Sequence, residues 1–341
     1  MENKLLVYGA TGYTGKLFVR ELLKNHLQPV LAGRSENVAS LAAGVNCEHR
    51  IFTLDDYDAI DKNIQDIQLV ANIAGPFHVT QNPLIQSCIQ TGTHYIDIAG
   101  EVPEMESAFM YDQQAKDADI MIMPGAGFGV VPTDIAASLA KRHLPDSTWL
   151  KIAYATEGGA SRGTLKTILQ DVDKPGFIRK NGKWKQANPA SNQMEFNVKG
   201  KQYTAVYNPW RADLFTAYVS TLIPNIETYT VFPGIIVKMM QGKMLWLRDF
   251  ILKYGMKFLP AGPSERSLNN GSTIIHAKAG NNEDTAVKVN ILGPEAYLFT
   301  VKTLLSISER ILNGQVFPGT KTPSIYGREL IEKICEIEII N

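Results

Sequence analysis

Short apolar runs, each closed by glycine, proline or polar residues, alternate with amphipathic stretches through the first 145 residues. Residues 5–8, 29–32, 48–54, 68–74, 94–101 and 120–123 read as strands, whereas 16–24, 57–64, 83–91 and 108–118 carry apolar positions near helical spacing. The run 68–74 is almost wholly apolar, as strands covered on both faces of a parallel sheet are. Alternation of this kind predicts an α/β domain with a parallel sheet. The pattern shifts after Leu144 and Pro145. Residues 149–156 alternate as a half-buried strand, 157–164 form a glycine turn into a helix, and 174–197 is a polar excursion or lid broken by Pro175, Gly176, Gly182 and Pro189. A strand at 198–207, a hairpin of 272–279 and 285–291 around the turn 280–284, and a helix at 295–312 follow. A chain of 341 residues with a break near 145 is expected to form two domains.

The first strand breaks into Gly9-Ala-Thr-Gly-Tyr-Thr-Gly15, and a helix starts at once. Gly9 lets the chain turn as the strand ends, Gly12 lets backbone approach a pyrophosphate, and Gly15 lets the helix pack closely on the sheet. The first N–H groups of that helix then face a bound diphosphate. This strand, turn and helix predict a Rossmann-type dinucleotide site, with Gly9, Thr11, Gly12, Tyr13, Thr14 and Gly15 against the cofactor. Cofactor choice falls at the end of the second strand, where the chain offers Arg34 and Ser35, with Glu36 next. An arginine there suits the 2′-phosphate, so NADP(H) is expected over NAD(H). Residues Thr53 to Asp56 resemble a helix cap, and Asp55 either caps or approaches the adenine. Ala74, Gly75 and Pro76 lie at a strand exit where the nicotinamide ribose would pass, with Phe77 and His78 close to the reacting centre. Tyr95, Asp97 and Glu101 form a polar cluster at the next strand exit, open to acid–base work or to capping and loop support. In the second half, Arg162, Lys166 and the N–H groups of Thr164 and Leu165 either bind a substrate anion or form a plain helix cap.

Charge adds exclusions. The chain has 34 basic and 34 acidic residues, which gives no global attraction to nucleic acid or anionic lipid. Cys47, Cys88 and Cys335 are far apart, against a disulfide framework or a structural zinc site. No apolar leader precedes the first strand, so the expected location is cytoplasmic. Residues 231–259 are rich in Ile, Met, Leu, Trp and Phe yet dotted with Lys238, Lys243, Arg248, Lys253 and Lys257. Core, pocket wall or subunit interface is expected there in preference to lipid contact.

Together the glycine turn with Gly33-Arg34, Asn72-Ile-Ala-Gly-Pro-Phe77, Tyr95-Ile-Asp-Ile-Ala-Gly-Glu101 and Gly127-Phe-Gly-Val-Val-Pro-Thr-Asp134 resemble the saccharopine dehydrogenase-like NADP-binding oxidoreductases, which include short forms and trans-acting enoyl reductases. Gly129 stands where that family usually has aspartate. The resemblance implies a Rossmann domain over 1–145, a second α/β domain with a mixed sheet over 146–315 for substrate binding and dimerisation, and a loop and terminal helix over 316–341 that return to the first domain. It further implies hydride transfer between NADP(H) and a C=N, C=C or C=O bond of a small molecule, in a homodimer. Short-chain dehydrogenases share such glycine turns, but none of the 13 tyrosines has a lysine four residues on. That excludes their ordinary catalytic pair and leaves a non-catalytic NADP(H)-sensing regulator as the alternative.

Overall fold

The computed structural model describes residues 4–283 and 285–340. They form two compact units, one running to Val131 and including Tyr297–Tyr326, the other spanning Pro132–Ala296 and the residues from Gly327.

The first unit is a parallel sheet of β1 (Leu5–Tyr8), β2 (Val30–Gly33), β3 (His49–Ile51), β4 (Leu69–Asn72), β5 (His94–Asp97), β6 (Met121–Met123) and β15 (Gly319–Thr320), in the order β15-β6-β5-β4-β1-β2-β3. Its helices are α1 (Tyr13–Lys24), α2 (Asn37–Val45), α3 (Tyr57–Ile64), α4 (Phe77–Thr91), α5 (Val102–Phe109), α6 (Asp112–Asp117) and α13 (Ala296–Leu312). Consecutive residues Leu5, Leu6 and Val7 are all buried, as are Leu69, Val70 and Ala71. Successive strand residues point to opposite faces, so both faces are covered, and this is why the sequence shows unbroken apolar runs instead of alternation. Leu6, Tyr8, Val70, Tyr95 and Ile122 pack with Ile60, Ile64, Leu84 and Ile85 of α3 and α4. Burial of each such aliphatic side chain contributes about 1.5–3 kcal/mol.

The second unit is a mixed sheet of β7 (Trp149–Glu157), β10 (Gln193–Val198), β11 (Lys201–Tyr207), β12 (Asn225–Thr230), β13 (Ser272–Gly280), β14 (Ala286–Pro294) and β16 (Glu336–Ile340), ordered β10-β11-β12-β7-β13-β14-β16. The hairpin of β8 (Gly176–Lys180) and β9 (Lys183–Ala187) attaches to β12. β12 and β7 are parallel and the other pairs antiparallel. Its helices are α7 (Val131–His143), α8 (Arg162–Gln170), α9 (Asp213–Thr221), α10 (Gly234–Met240), α11 (Leu245–Phe250) and α12 (Glu265–Asn270).

Several expected boundaries move. α4 starts at Phe77 and carries Pro83 inside it. Its first turn is held by Thr80, whose hydroxyl donates to the Ala74 carbonyl at 2.6 Å, a bond that a start at Pro83 would forgo. The stretch expected as a polar lid is the β8–β9 hairpin followed by β10; their mostly exposed lysines and glutamines hid the strand period. The first unit ends near Val131, not 145, and α13 belongs to it and not to the substrate domain. The reason is local bonding: Thr303 of α13 donates to the Ala126 carbonyl at 3.0 Å and Thr300 accepts from the Phe128 N–H at 3.1 Å. The tail is divided. β15 extends the first sheet beside β6, but the expected terminal helix is a 3-10 turn at Arg328–Leu330 followed by β16, which pairs with β14 of the second sheet. Glu336-Ile-Glu-Ile-Ile has the period of a strand, and β-branched isoleucine favours one. Asp284, in the expected hairpin turn, lies outside the described residues.

Candidate functional site

Gly9 and Gly15 of the turn have no room for side chains, and Gly12 has little. Gly9 sits at φ +90°, and a Cβ there would lie 2.8 Å from the Ala74 nitrogen; one on Gly15 would lie 2.3 Å from the Gly9 carbonyl oxygen, and one on Gly12 3.3 Å from it. No side chain caps α1 at Gly12, and its first turn carries no acid. This is the arrangement that presents helix N–H groups to an anion. Thr11, Thr14 and Tyr13 are partly exposed around the turn, and the Tyr13 ring packs edge-on against Tyr297 at 5.1 Å.

Arg34 and Ser35 follow β2 and are exposed, and Arg34 forms no hydrogen bond or ion pair among the described residues. Arg34 and Asp55 both act on the Tyr8 phenol, which donates to the Phe52 carbonyl at 3.2 Å. Burial raises the Tyr8 pKa, the Arg34 charge opposes the rise and Asp55 adds to it. Arg34 and Asp55 therefore share the carboxyl end of β2 and β3. Asp55 accepts from the Thr53 hydroxyl, which holds its carboxyl below the ordinary range. The α3 cap itself is Asp56, accepting from the Ala59 N–H at 3.1 Å. The cradle, the uncapped helix start and the free guanidinium fit a dinucleotide with a 2′-phosphate.

Tyr95 and Asp97 do not present themselves to a substrate. Both are fully buried. Asp97 accepts from Gln81 at 2.8 Å, the Tyr95 hydroxyl at 3.0 Å, and the N–H groups of Ala99 and Gly125 at 2.9 Å each. Tyr95 in turn accepts from Asn72 at 3.0 Å, and Asn72 bonds Thr80 and the Ala74 N–H. Burial raises the pKa of both residues; at Asp97 the donors, Gln81 first, oppose it. Tyr95 and Asp97, expected as acid–base candidates, tie the exits of β4, β5 and β6 together next to Ala74, Gly75 and Pro76, of which Gly75 and Pro76 are exposed. Asn72, Thr80 and Gln81 belong to this network, and the lone polar Asn72 in an apolar strand was its visible sign.

Glu101 remains at the surface of the β5 exit, partly exposed, its carboxylate accepting from the Gly100 N–H at 3.0 Å. Three residues on, Glu104 was not singled out in the sequence. It is buried, its Oε2 has no hydrogen-bond partner, and its pKa is raised by burial and by the Glu101 charge, with His78 acting in the opposite sense. A Cβ on Gly129 would meet only Gly100 Cα at 4.0 Å. The Arg162 loop resolves as a cap: Ser161 accepts from the Thr164 N–H at 3.2 Å, the Leu165 N–H goes to the Ser161 carbonyl, and Arg162 donates to the Leu259 carbonyl at 3.1 Å.

Residues 5–123 match the saccharopine dehydrogenase NADP-binding domain, and NADP(H) is accordingly the cofactor. A human saccharopine dehydrogenase-like oxidoreductase is 28% identical over 203 residues, 52% of this chain and 47% of the relative. A Mycobacterium tuberculosis protein with the provisional name trans-acting enoyl reductase is 28% identical over 186 residues, 50% of this chain and 44% of that protein. The chain thus spans about half the length of the curated relatives it matches. The structure of apo saccharopine dehydrogenase (L-Glu forming) from Saccharomyces cerevisiae shares the fold, with a TM-score of 0.68 at 13% identity over 99% of this chain and 100% of that one. In its nucleotide-binding domain, and in its two-unit fold, the chain is similar to the saccharopine dehydrogenase-like NADP-binding oxidoreductases.

Proposed function

We propose that this chain reduces a C=N, C=C or C=O bond of a small molecule, or runs the reverse oxidation, at the carboxyl ends of β4 and β5. The nicotinamide, when bound, supplies or accepts the hydride. The turn Gly9 to Gly15 and Arg34 hold and orient the nucleotide, and the Asp97 network contributes to the stability of the sheet that carries them. The observation that carries the catalytic reading is Glu104, a buried carboxyl with an unpartnered Oε2 beside Glu101. Its raised pKa keeps a proton on that oxygen to higher pH than an ordinary glutamate, the property a donor to a developing anion needs.

The test is NADPH oxidation with amino-acid imines, enals and enoyl thioesters. Turnover is expected with one class, and Glu104→Gln should lower kcat at least about a hundredfold with a smaller change in KM. Full rates in Glu104→Gln remove that residue from the mechanism. Tight NADPH binding with no turnover across all three classes favours the sensing reading instead, which the missing Tyr-x-x-x-Lys pair and Gly129 support.

A further inference from the structure

Residues 245–258 make one continuous helical run: α11, a π-helical turn at Ile251–Gly255 and a 3-10 turn at Met256–Phe258. Leu245, Leu247, Ile251 and Leu252 pack against a cluster that includes Leu169, Val172, Val206, Met239 and Met240, which agrees with the core role expected of this segment. The opposite side does not. Trp246, Phe250, Tyr254 and Phe258 recur every four residues, the step that keeps side chains on one helix face. They are 70%, 57%, 48% and 80% exposed. The run is held from both ends, by Arg248 on Asp173 at 2.5 Å and by Arg162 on the Leu259 carbonyl at 3.1 Å. The aromatic stripe is therefore a presented surface and not a frayed end.

Charge identifies what it meets. Lys253 and Lys257 within the run are exposed, as are Lys243 just before it and Lys238 of α10. The ammonium groups of Lys253 and Lys257 lie 5.1 Å and 5.2 Å from the centroids of Tyr254 and Phe258. Between 231 and 259 the only acid is Asp249, and it is bonded to Arg248 at 2.9 Å. Five basic residues against one acid make this segment strongly positive in a chain whose net charge is zero. Lysine is depleted at protein–protein interfaces. Aromatic rings beside lysines are instead the composition of the membrane–water boundary, where rings enter the headgroup layer and ammonium groups meet phosphates.

We infer that Trp246, Phe250, Tyr254 and Phe258, with Lys243, Lys253 and Lys257, dock the protein on an anionic lipid surface without spanning it. No helix among the described residues is long and apolar enough to cross a membrane. The full chain should co-sediment with vesicles of phosphatidylcholine and phosphatidylserine more than with phosphatidylcholine alone, and less as salt is raised. Lys253→Gln with Lys257→Gln should weaken that binding about thirtyfold, the equivalent of about 1 kcal/mol per charge. Trp246→Ala with Phe258→Ala should abolish it, while NADPH affinity and the circular dichroism spectrum stay those of the wild type. Absence of co-sedimentation, or undiminished binding by the aromatic variant, overturns the inference. Self-association that disappears in the aromatic variant without any vesicle binding also overturns it, and assigns the stripe to a second copy of the chain.

Discussion

Replacing Asp97 by asparagine exchanges one oxygen for an NH2 group at almost constant volume. Four donors converge on the native carboxylate, two on each oxygen. The Ala99 and Gly125 N–H groups are backbone and cannot turn away, so the asparagine keeps its oxygen toward them and sets its NH2 against Gln81 and Tyr95. Gln81 can exchange the ends of its amide. The Tyr95 hydroxyl already accepts from Asn72 and loses the acceptor for its own proton. Hydrogen bonds to a charged group contribute about 1.5–3 kcal/mol each, so one lost and one weakened predict a loss of about 2–4 kcal/mol. Against the roughly 5–15 kcal/mol of a whole domain, that is readily measured by urea unfolding followed by circular dichroism. Tyr95→Phe should cost less, about 1–2 kcal/mol, because Asn72 retains Thr80 as a partner. Both variants, where folded, should keep wild-type NADPH affinity and turnover. An unchanged unfolding midpoint in Asp97→Asn together with lost turnover would refute the structural assignment and return Asp97 to the chemistry.

Three further outcomes are expected. Arg34→Ala should weaken NADPH binding about tenfold or more and leave NADH nearly unaffected, since one charge-assisted contact to the 2′-phosphate contributes roughly 1.5–3 kcal/mol; calorimetric titration of both cofactors decides, and equal losses reject the assignment. Gly15→Ala puts a Cβ 2.3 Å from the Gly9 carbonyl oxygen, so both stability and NADPH affinity should fall, the former by about 1–3 kcal/mol in thermal unfolding; a neutral result contradicts the tight turn. Burial lowers the pKa of His94, whose Nδ1 accepts from the Met121 N–H at 3.1 Å, and of His276, where Lys288 and Lys278 add to the effect. The unfolded chain then binds more protons than the folded one below about pH 6.5, so stability present above that pH declines as pH falls, by up to about 1.4 kcal/mol per histidine per unit. Urea midpoints at neutral and mildly acidic pH check this, and His94→Gln should flatten part of the slope.

The sequence by itself determined what local backbone sterics and periodicity control. Gly9, Gly12 and Gly15 at the end of an apolar strand have few other uses, and Arg34 in place of a carboxylate fixes the charge offered at the end of β2. Unbroken apolar runs indicated a sheet covered on both faces. Tertiary structure decided the rest, because burial and partnership depend on what distant segments bring. Tyr95 and Asp97 look like exposed strand-end chemistry until Gln81 of α4 and Gly125 after β6 arrive to enclose them. Glu104 is an ordinary helical glutamate until packing removes its water. Helix α13 joins the first unit through Thr300 and Thr303, and β16 joins the second through β14, pairings between residues far apart in sequence that no local period encodes. Residues 231–259 had the composition of a core, and only the fold showed which half of each helical turn found one.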